Sequence, residues 1–255
     1  MIRFKRDNLI IDEREEVTST NDLLKELADD NASTDYLMIA KKQTSGHGRN
    51  GRTFVSPKGG IYFSFLLHPD IALEKVHYHT AAMAVAVAES IEELTGKQIN
   101  LKWVNDVYLA GRKICGILTE GRFNNDGSLA YAIIGIGINI EEPEGGFPED
   151  IKNLAGAIFE NGKVPEGFAE KLMGLILEKF YGFYDKLEEK AYLEEYRKRN
   201  LVIGKEIRVI TNTRRPDQFF VAKAEGIDDE FGLVIKKEDG SISTLTTGEI
   251  TIRVN

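Results

Sequence analysis

Cysteine is almost missing from this chain. Cys115 is the only one in 255 residues, so no internal disulfide can form. Its apolar neighbours mark it as a small buried hydrophobe. Long apolar runs are missing as well. There is no N-terminal apolar segment and no stretch long enough to span a bilayer. Neither a signal peptide nor a membrane span is expected, and cytoplasmic residence is the default. A cationic excess is also lacking: 33 Lys and Arg face 41 Asp and Glu, for a formal net charge of -8. That balance argues against nonspecific nucleic-acid binding as the main business. No Gly-Lys-Ser/Thr phosphate loop, internal repeat or low-complexity segment occurs. The length suits one large domain, or one large and one small.

What is present is concentrated in residues 42–52, KQTSGHGRNGR. Gly46, Gly48 and Gly51 alternate with Arg49 and Arg52 beside His47. Glycine lets backbone N–H groups approach a ligand closely. Arginine adds a planar, permanent charge suited to phosphate or carboxylate. The local expectation is a flexible cationic loop that closes over an anion; a solvated glycine-rich turn is an equal account of the loop alone. The string also satisfies the dinucleotide fingerprint G-x-G-x-x-G. That fingerprint must open a helix directly after a strand. Here Pro57, Gly59 and Gly60 follow and forbid a long helix.

Around this loop the chain reads as mixed α and β. Residues 1–13 suggest a short strand or two. Ser19, Thr20 or Asn21 can cap a helix with Leu23, Leu24 and Leu27 on its apolar side. Capping alone explains those three residues, though a positive helix end could also hold a ligand. Strands are expected at 37–40, 61–67, 99–106, 107–121 and 129–140, with turns at Gly111 and 124–127. A helix over 78–94 carries Ala81, Ala84, Val85, Ala88, Ile91 and Leu94 on one face and stops at Gly96. His77 and His79 at its start lack a third ligand nearby and read as a polar helix entry rather than a metal site. A short helix is expected over 153–160, and one long or two shorter helices over 166–200. From Gly204 the pattern changes to five short strands with tight turns, a small barrel of SH3-like size. The expected division is therefore 1–203 and 204–255. Lys113 is either an edge-strand lysine or a cation facing an anion. Trp103 reads first as core, and Asn105 and Asp106 as turn residues.

Taken in order, these stretches resemble the biotin protein ligases. The carriers of the resemblance are STN at 19–21, QTSGHGRNGR at 43–52, SPKGGIYFS at 56–64 and KWVND at 102–106. RKICGIL at 112–118, GIGIN at 135–139 and GEI at 248–250 complete the set. Each is weak alone, but the ordered set covers nearly the whole chain. The resemblance implies an α+β fold: a catalytic domain like that of class II aminoacyl-tRNA synthetases, with a C-terminal SH3-like barrel. It implies that ATP and biotin form biotinyl-5′-AMP, and that a lysine of a biotin carrier domain then takes the biotin. Mg²⁺ would accompany ATP. No helix-turn-helix precedes residue 1, so the short form without a repressor role is expected. A homodimer paired at a sheet edge is expected too, with no nucleic acid or membrane as partner.

Residue by residue, the resemblance assigns Ser19, Thr20, Asn21 and Gln43 to the biotin ring system. Gly46, His47, Gly48, Arg49 and Arg52 form the loop over biotin and the adenylate phosphate. Lys113 stands against the biotin carboxylate and α-phosphate, as first choice for catalysis with Arg49 and Arg52. Gly116 and Ile117 supply the biotin wall and Trp103 packs the site. Lys102, Asn105, Asp106, Phe54 and Asn139 fall on the nucleotide side, with Asp106 and Asn139 near Mg-ATP and no all-protein metal cage. The sequence departs from the family at His47 (usually arginine), Phe54 (usually tryptophan) and Val104 (usually proline). These departures bear on affinity and adenylate retention. The alternatives are a lipoate-protein ligase and a non-catalytic biotin or nucleotide sensor.

Overall fold

The computed structural model describes residues 9–29, 34–68, 75–124, 128–210, 217–246 and 248–252. The expected first strand and first helix extend beyond these limits at residues 1–8 and 30–31, and the turn at 125–127 also lies outside them. Seven strands form one mixed sheet: β1 (Leu9–Arg14), β2 (Asp35–Ala40), β3 (Gly60–Leu67), β4 (Ile99–Lys102), β5 (Asp106–Leu109), β6 (Arg112–Phe123) and β7 (Leu129–Asn139). Their spatial order is β1-β2-β3-β7-β6-β5-β4, with β1 parallel to β2 and every other neighbour antiparallel.

The two faces of this sheet are covered differently. Ile134, Ile136 and Ile138 of β7 join Phe63 and Phe65 of β3 in the main core. That core lies under α2 (Val76–Thr95), α3 (Phe168–Tyr184) and α4 (Leu193–Arg199). Burying each such side chain contributes roughly 1.5–3 kcal/mol. The alternation expected for α2 predicts one apolar face, yet Ala82, Met83, Ala86 and Val87 are buried too. The reason is α3, which covers the outer side of α2; a helix apolar all round belongs between two layers. Helix α2 ends at Gly96, whose φ of +67° is a left-handed cap. On the other face, α1 (Thr20–Asp29) packs Leu24 against Met38, Leu66 and Ile133. This second cluster is small and leaves part of the face open.

Residues 206–252 form a separate antiparallel sheet: β8 (Glu206–Ile210), β9 (Phe219–Ile227), β10 (Leu233–Lys237), β11 (Ile242–Leu245) and β12 (Glu249–Ile252). The five strands are as the sequence predicts, but the barrel is not closed. The order is β11-β10-β9-β8-β12: β12 crosses to pair with β8 and stands at the edge opposite β11. The short helix expected over 153–160 is also not there. This segment makes turns and isolated bridges, pairing Lys113 with Ala155 and Glu141 with Phe159. Tertiary pairing has overridden local helix propensity.

Candidate active site

A cavity of about 440 Å³ opens on the α1 side of the large sheet, a size suited to a small-molecule ligand. Its floor is made by glycines. Gly135 and Gly137 of β7 and Gly116 of β6 line it, while the isoleucines between them point into the core. Side chains already occupy the space these glycines leave. A Cβ at Gly135 would fall 2.1 Å from Asn21 Oδ1, and one at Gly137 would fall 2.3 Å from Phe54 Cε1.

At one end, α1 brings three small polar residues to the cavity. Ser19 caps the helix, its Oγ accepting the Asp22 N–H at 3.3 Å. Thr20 N–H donates to Gln43 Oε1 at 2.9 Å, and Thr20 Oγ1 lies 3.1 Å from the same oxygen. Ser64 Oγ, fully buried on β3, lies 2.6 Å from both Thr20 Oγ1 and Asn21 Oδ1. Asn21 Nδ2 donates to Glu120 Oε2 at 2.8 Å. Gln43 Nε2 continues the network to Ser56 Oγ at 3.0 Å, and Ser56 donates to Phe54 O. Capping and ligand presentation are thus compatible: Ser19 caps while Thr20 and Asn21 face inward.

The glycine-rich loop is an ordered hairpin. Phe54 N–H donates to Gly46 O, Gly48 N–H donates to Arg52 O, and His47 bridges Thr53. Its tip turns through left-handed Asn50 (φ 58°) and Gly51 (φ 71°), where glycine meets no steric penalty. The return strand runs into β3, so no helix follows and the dinucleotide reading falls. Arg49 donates to Gly248 O at 2.9 Å and reaches Asn105 Oδ1 at 3.4 Å, which ties the loop to the C-terminal sheet. His47 lies 3.7 Å from Asp22 and 3.8 Å from Glu120. Arg52 lines the cavity.

At the other end stands Lys113. Strict alternation would put Lys113 and Gly116 on opposite faces of β6. A β-bulge prevents this: Val107 pairs with Cys115 and Tyr108 with Lys113, so Ile114 is the extra residue. Ile114 and Cys115 both enter the core, and Lys113 joins the cavity face. Its Nζ lies 2.6 Å from Asp106 Oδ1 and 5.8 Å from the Phe54 ring centre. Asn105 Nδ2 donates to Ile117 O at 2.7 Å. Lys102 Nζ sits 5.9 Å from the Tyr108 ring, whose hydroxyl is pushed up to about 12 by burial and by Asp106. Trp103 is buried and donates from Nε1 to Phe231 O at 2.9 Å. Asn139 Nδ2 donates to Gly156 O at 2.9 Å. The Cys115 thiol is pushed up by burial and is no nucleophile.

Residues 14–139 match the Biotin/lipoate A/B protein ligase family, and residues 202–253 match the Biotin protein ligase C terminal domain. The Bifunctional ligase/repressor BirA of Bacillus subtilis is 36% identical over 230 residues, covering 88% of this chain and 68% of that protein. The chain belongs to the biotin protein ligase family. A Biotin--[acetyl-CoA-carboxylase] ligase of Paracoccus denitrificans is 29% identical over 219 residues, covering 80% of this chain and 85% of its own length. The solved biotin protein ligase from Aquifex aeolicus in complex with biotin and ATP superposes with a TM-score of 0.72 at 30% identity. It covers 98% of this chain and all of that one.

Against this family background, the cavity gathers nearly every residue expected of it. Ser19, Thr20, Asn21, Gln43, His47, Gly48, Arg49, Arg52, Phe54, Lys102, Trp103, Asn105, Asp106, Lys113, Gly116, Ile117 and Asn139 all line it. Two expectations change in kind. Ile117 reaches the cavity through its backbone, because its side chain is buried in the main core. Gly46 supports the hairpin from behind, where a Cβ would lie 2.5 Å from Ser56 Oγ. Sequence reasoning gave Ser64 and Glu120 no role. Ser64 did carry a signal: it is the one small polar residue in the buried run IYFSFLL.

Proposed function

We propose that this protein joins biotin to ATP and passes the biotin to one lysine of a carrier domain. The observation that carries the reading is the polarity of one cavity. Neutral hydrogen-bonding groups line its α1 end, and Lys113, Arg49 and Arg52 stand at the other. A ureido ring with an apolar chain ending in a carboxylate matches that gradient. Thr20, Asn21 and Gln43 hold the ring, and the glycine floor accepts the chain. Lys113 receives the carboxylate.

In the first step a biotin carboxylate oxygen bonds to the α-phosphorus of ATP, and the bond to the bridging oxygen breaks, releasing pyrophosphate. Two anions must approach each other, so fixed positive charge lowers the barrier. Lys113 and the loop arginines supply it. In the second step the neutral amine of the carrier lysine attacks the acyl carbon, AMP leaves, and one proton is lost. The hairpin shields the anhydride from water. A magnesium ion fits the donor set in the usual way, through one or two protein oxygens and the substrate phosphates. The Asp106 carboxylate on the cavity wall and Asn139 would hold it, and it would neutralise phosphate charge. Among the described residues no cluster of three acidic, histidine or cysteine ligands exists, so such an ion would lean on the phosphates for the rest of its shell.

We further assign residues 1–203 to the catalytic unit and 204–255 to the C-terminal unit. We expect a cytoplasmic homodimer joined through an edge of the large sheet. The deciding experiment measures pyrophosphate release from purified protein, ATP and Mg²⁺ with biotin or lipoate. Release with biotin alone is expected; equal release with lipoate, or none with either, overturns the reading. Adenylate that forms but never reaches a carrier lysine would favour a sensor.

A further inference from the structure

We propose that Glu120 is a positioning residue that fixes the direction of the hydrogen-bond chain at the α1 end of the cavity. Through that chain it makes the site prefer a ligand head that donates N–H. The inference rests on the biotin reading and deepens it: Glu120 would touch no substrate atom.

Each hydroxyl in this network has a single proton to give. An ionised carboxylate can only accept hydrogen bonds. Glu120 Oε2 lies 2.8 Å from Asn21, so the Asn21 amide must turn Nδ2 toward it. Asn21 Oδ1 then faces Ser64, 2.6 Å away. An amide oxygen has no proton, so Ser64 gives its only one to Asn21. Ser64 Oγ also lies 2.6 Å from Thr20 Oγ1, and two hydroxyl oxygens that close share a proton. With Ser64 committed, Thr20 supplies it. Thr20 Oγ1 and Gln43 Oε1, 3.1 Å apart, are left without a proton between them. The wall therefore presents two acceptors at this point. A ring N–H of a cyclic urea satisfies them; a dithiolane ring, with no N–H, leaves Thr20 Oγ1 without a donor and Gln43 Oε1 with the Thr20 backbone N–H alone. A site built to bond a polar hydrogen discriminates strongly against analogues that lack it.

Glu120 also pairs with Lys25. Lys25 Nζ lies 2.8 Å from Oε1 and 3.4 Å from Asp22. Burial lowers the Lys25 ammonium, but its hydrogen bonds and charge interactions with Glu120 and Asp22 together more than offset this and leave it raised. His47 Nε2 stands 3.8 Å from Oε2. A role confined to these ion pairs would leave the Asn21 amide and the biotin interaction untouched, which separates the two accounts.

The test uses full-length protein and steady-state pyrophosphate release, with melting curves to check folding. Glu120→Leu is expected to raise the KM for biotin about tenfold and narrow the preference over lipoate, with the KM for ATP within about twofold. The paired swap Asn21→Asp with Glu120→Gln restores the polarity, because the introduced aspartate can only accept and the introduced glutamine can donate. It should recover the biotin KM to within about threefold of wild type, whereas Asn21→Asp alone, facing Glu120, should not. Lys25→Met should leave the biotin KM unchanged. An unchanged biotin KM in folded Glu120→Leu, or a swap no better than Asn21→Asp alone, overturns the proposal. Where Glu120→Leu does not fold, the charge-conserving swap decides by itself. Wild-type release that requires an acid other than biotin sinks the biotin reading instead, and the same variants are then scored with that acid.

Discussion

Strand β7 shows one backbone serving two environments. Its even positions, Ile134, Ile136 and Ile138, are buried in the main core beneath α2. Its odd positions, Gly135 and Gly137, floor the cavity under Asn21 and Phe54. The layers beyond the core face are dry enough to keep a histidine neutral: between α2 and α3, where His79 packs on Tyr184, burial holds it down at about 4, with only the Val76 carbonyl raising it. The cavity face instead carries an ammonium, a carboxylate and a network of hydroxyls and amides. Changes on the first face should therefore register as stability, and changes on the second as binding and rate.

The largest expected effect lies on the cavity face. Lys113→Ala should cut biotin-dependent pyrophosphate release by about a thousandfold, or ~4 kcal/mol, as loss of a transition-state charge partner does. Melting should barely move; near-wild-type release would remove Lys113 from the centre. Next comes the packed layer behind the core face, between α2 and α3. A histidine with an ordinary value near 6.5 unfolded and about 4 folded binds its proton only on unfolding between those limits. Its stability contribution is present above pH 6.5 and is lost as pH falls toward 4, by about 3 kcal/mol in all. Denaturant midpoints across that range should flatten in His79→Leu. If they do not, the contact between α2 and α3 is wetter than its packing implies.

Adjacent residues of β7 give the sharpest contrast. Gly137→Ala puts a methyl where Phe54 lies, so biotin affinity by calorimetry should fall by about 2 kcal/mol, near thirtyfold. Ile136→Val should cost about 1 kcal/mol of stability and leave kinetics alone. The reverse pattern would mean the faces are misassigned. Between these in size, Arg49→Gly severs the link to Gly248 and Asn105. It should leave folding intact while the adenylate dissociates about tenfold faster, a loss of ~1.4 kcal/mol. Unchanged dissociation would count against hairpin closure.

Much of this was legible in the sequence because local rules and long-range needs agree. The strand 60–67, the helix ending at Gly96 and the alternation of 133–139 each carry their own periodicity. The failures share a cause. Nothing local reveals that residues 153–156 pair with Lys113, since Gly156 N–H finds its acceptor, Lys113 O, far away in sequence. Barrel closure depends on where β12 lands, which strand lengths do not encode. The resemblance supplied most of the site, but Glu120 looks like any acid near a strand end. Only the fold brings it to Asn21, 99 residues away.

The single extra residue in β6 works as a phase shifter. Ahead of Ile114 the odd residues lie on the cavity side of the sheet; beyond it the even ones do. Lys113 and Glu120 are seven positions apart, so an unbroken zigzag would send one of them to the wrong side. Any insertion or deletion that resets this parity would separate the cation at one end of the chamber from the anion at the other. The tolerance of this strand to length changes should therefore be read in steps of two.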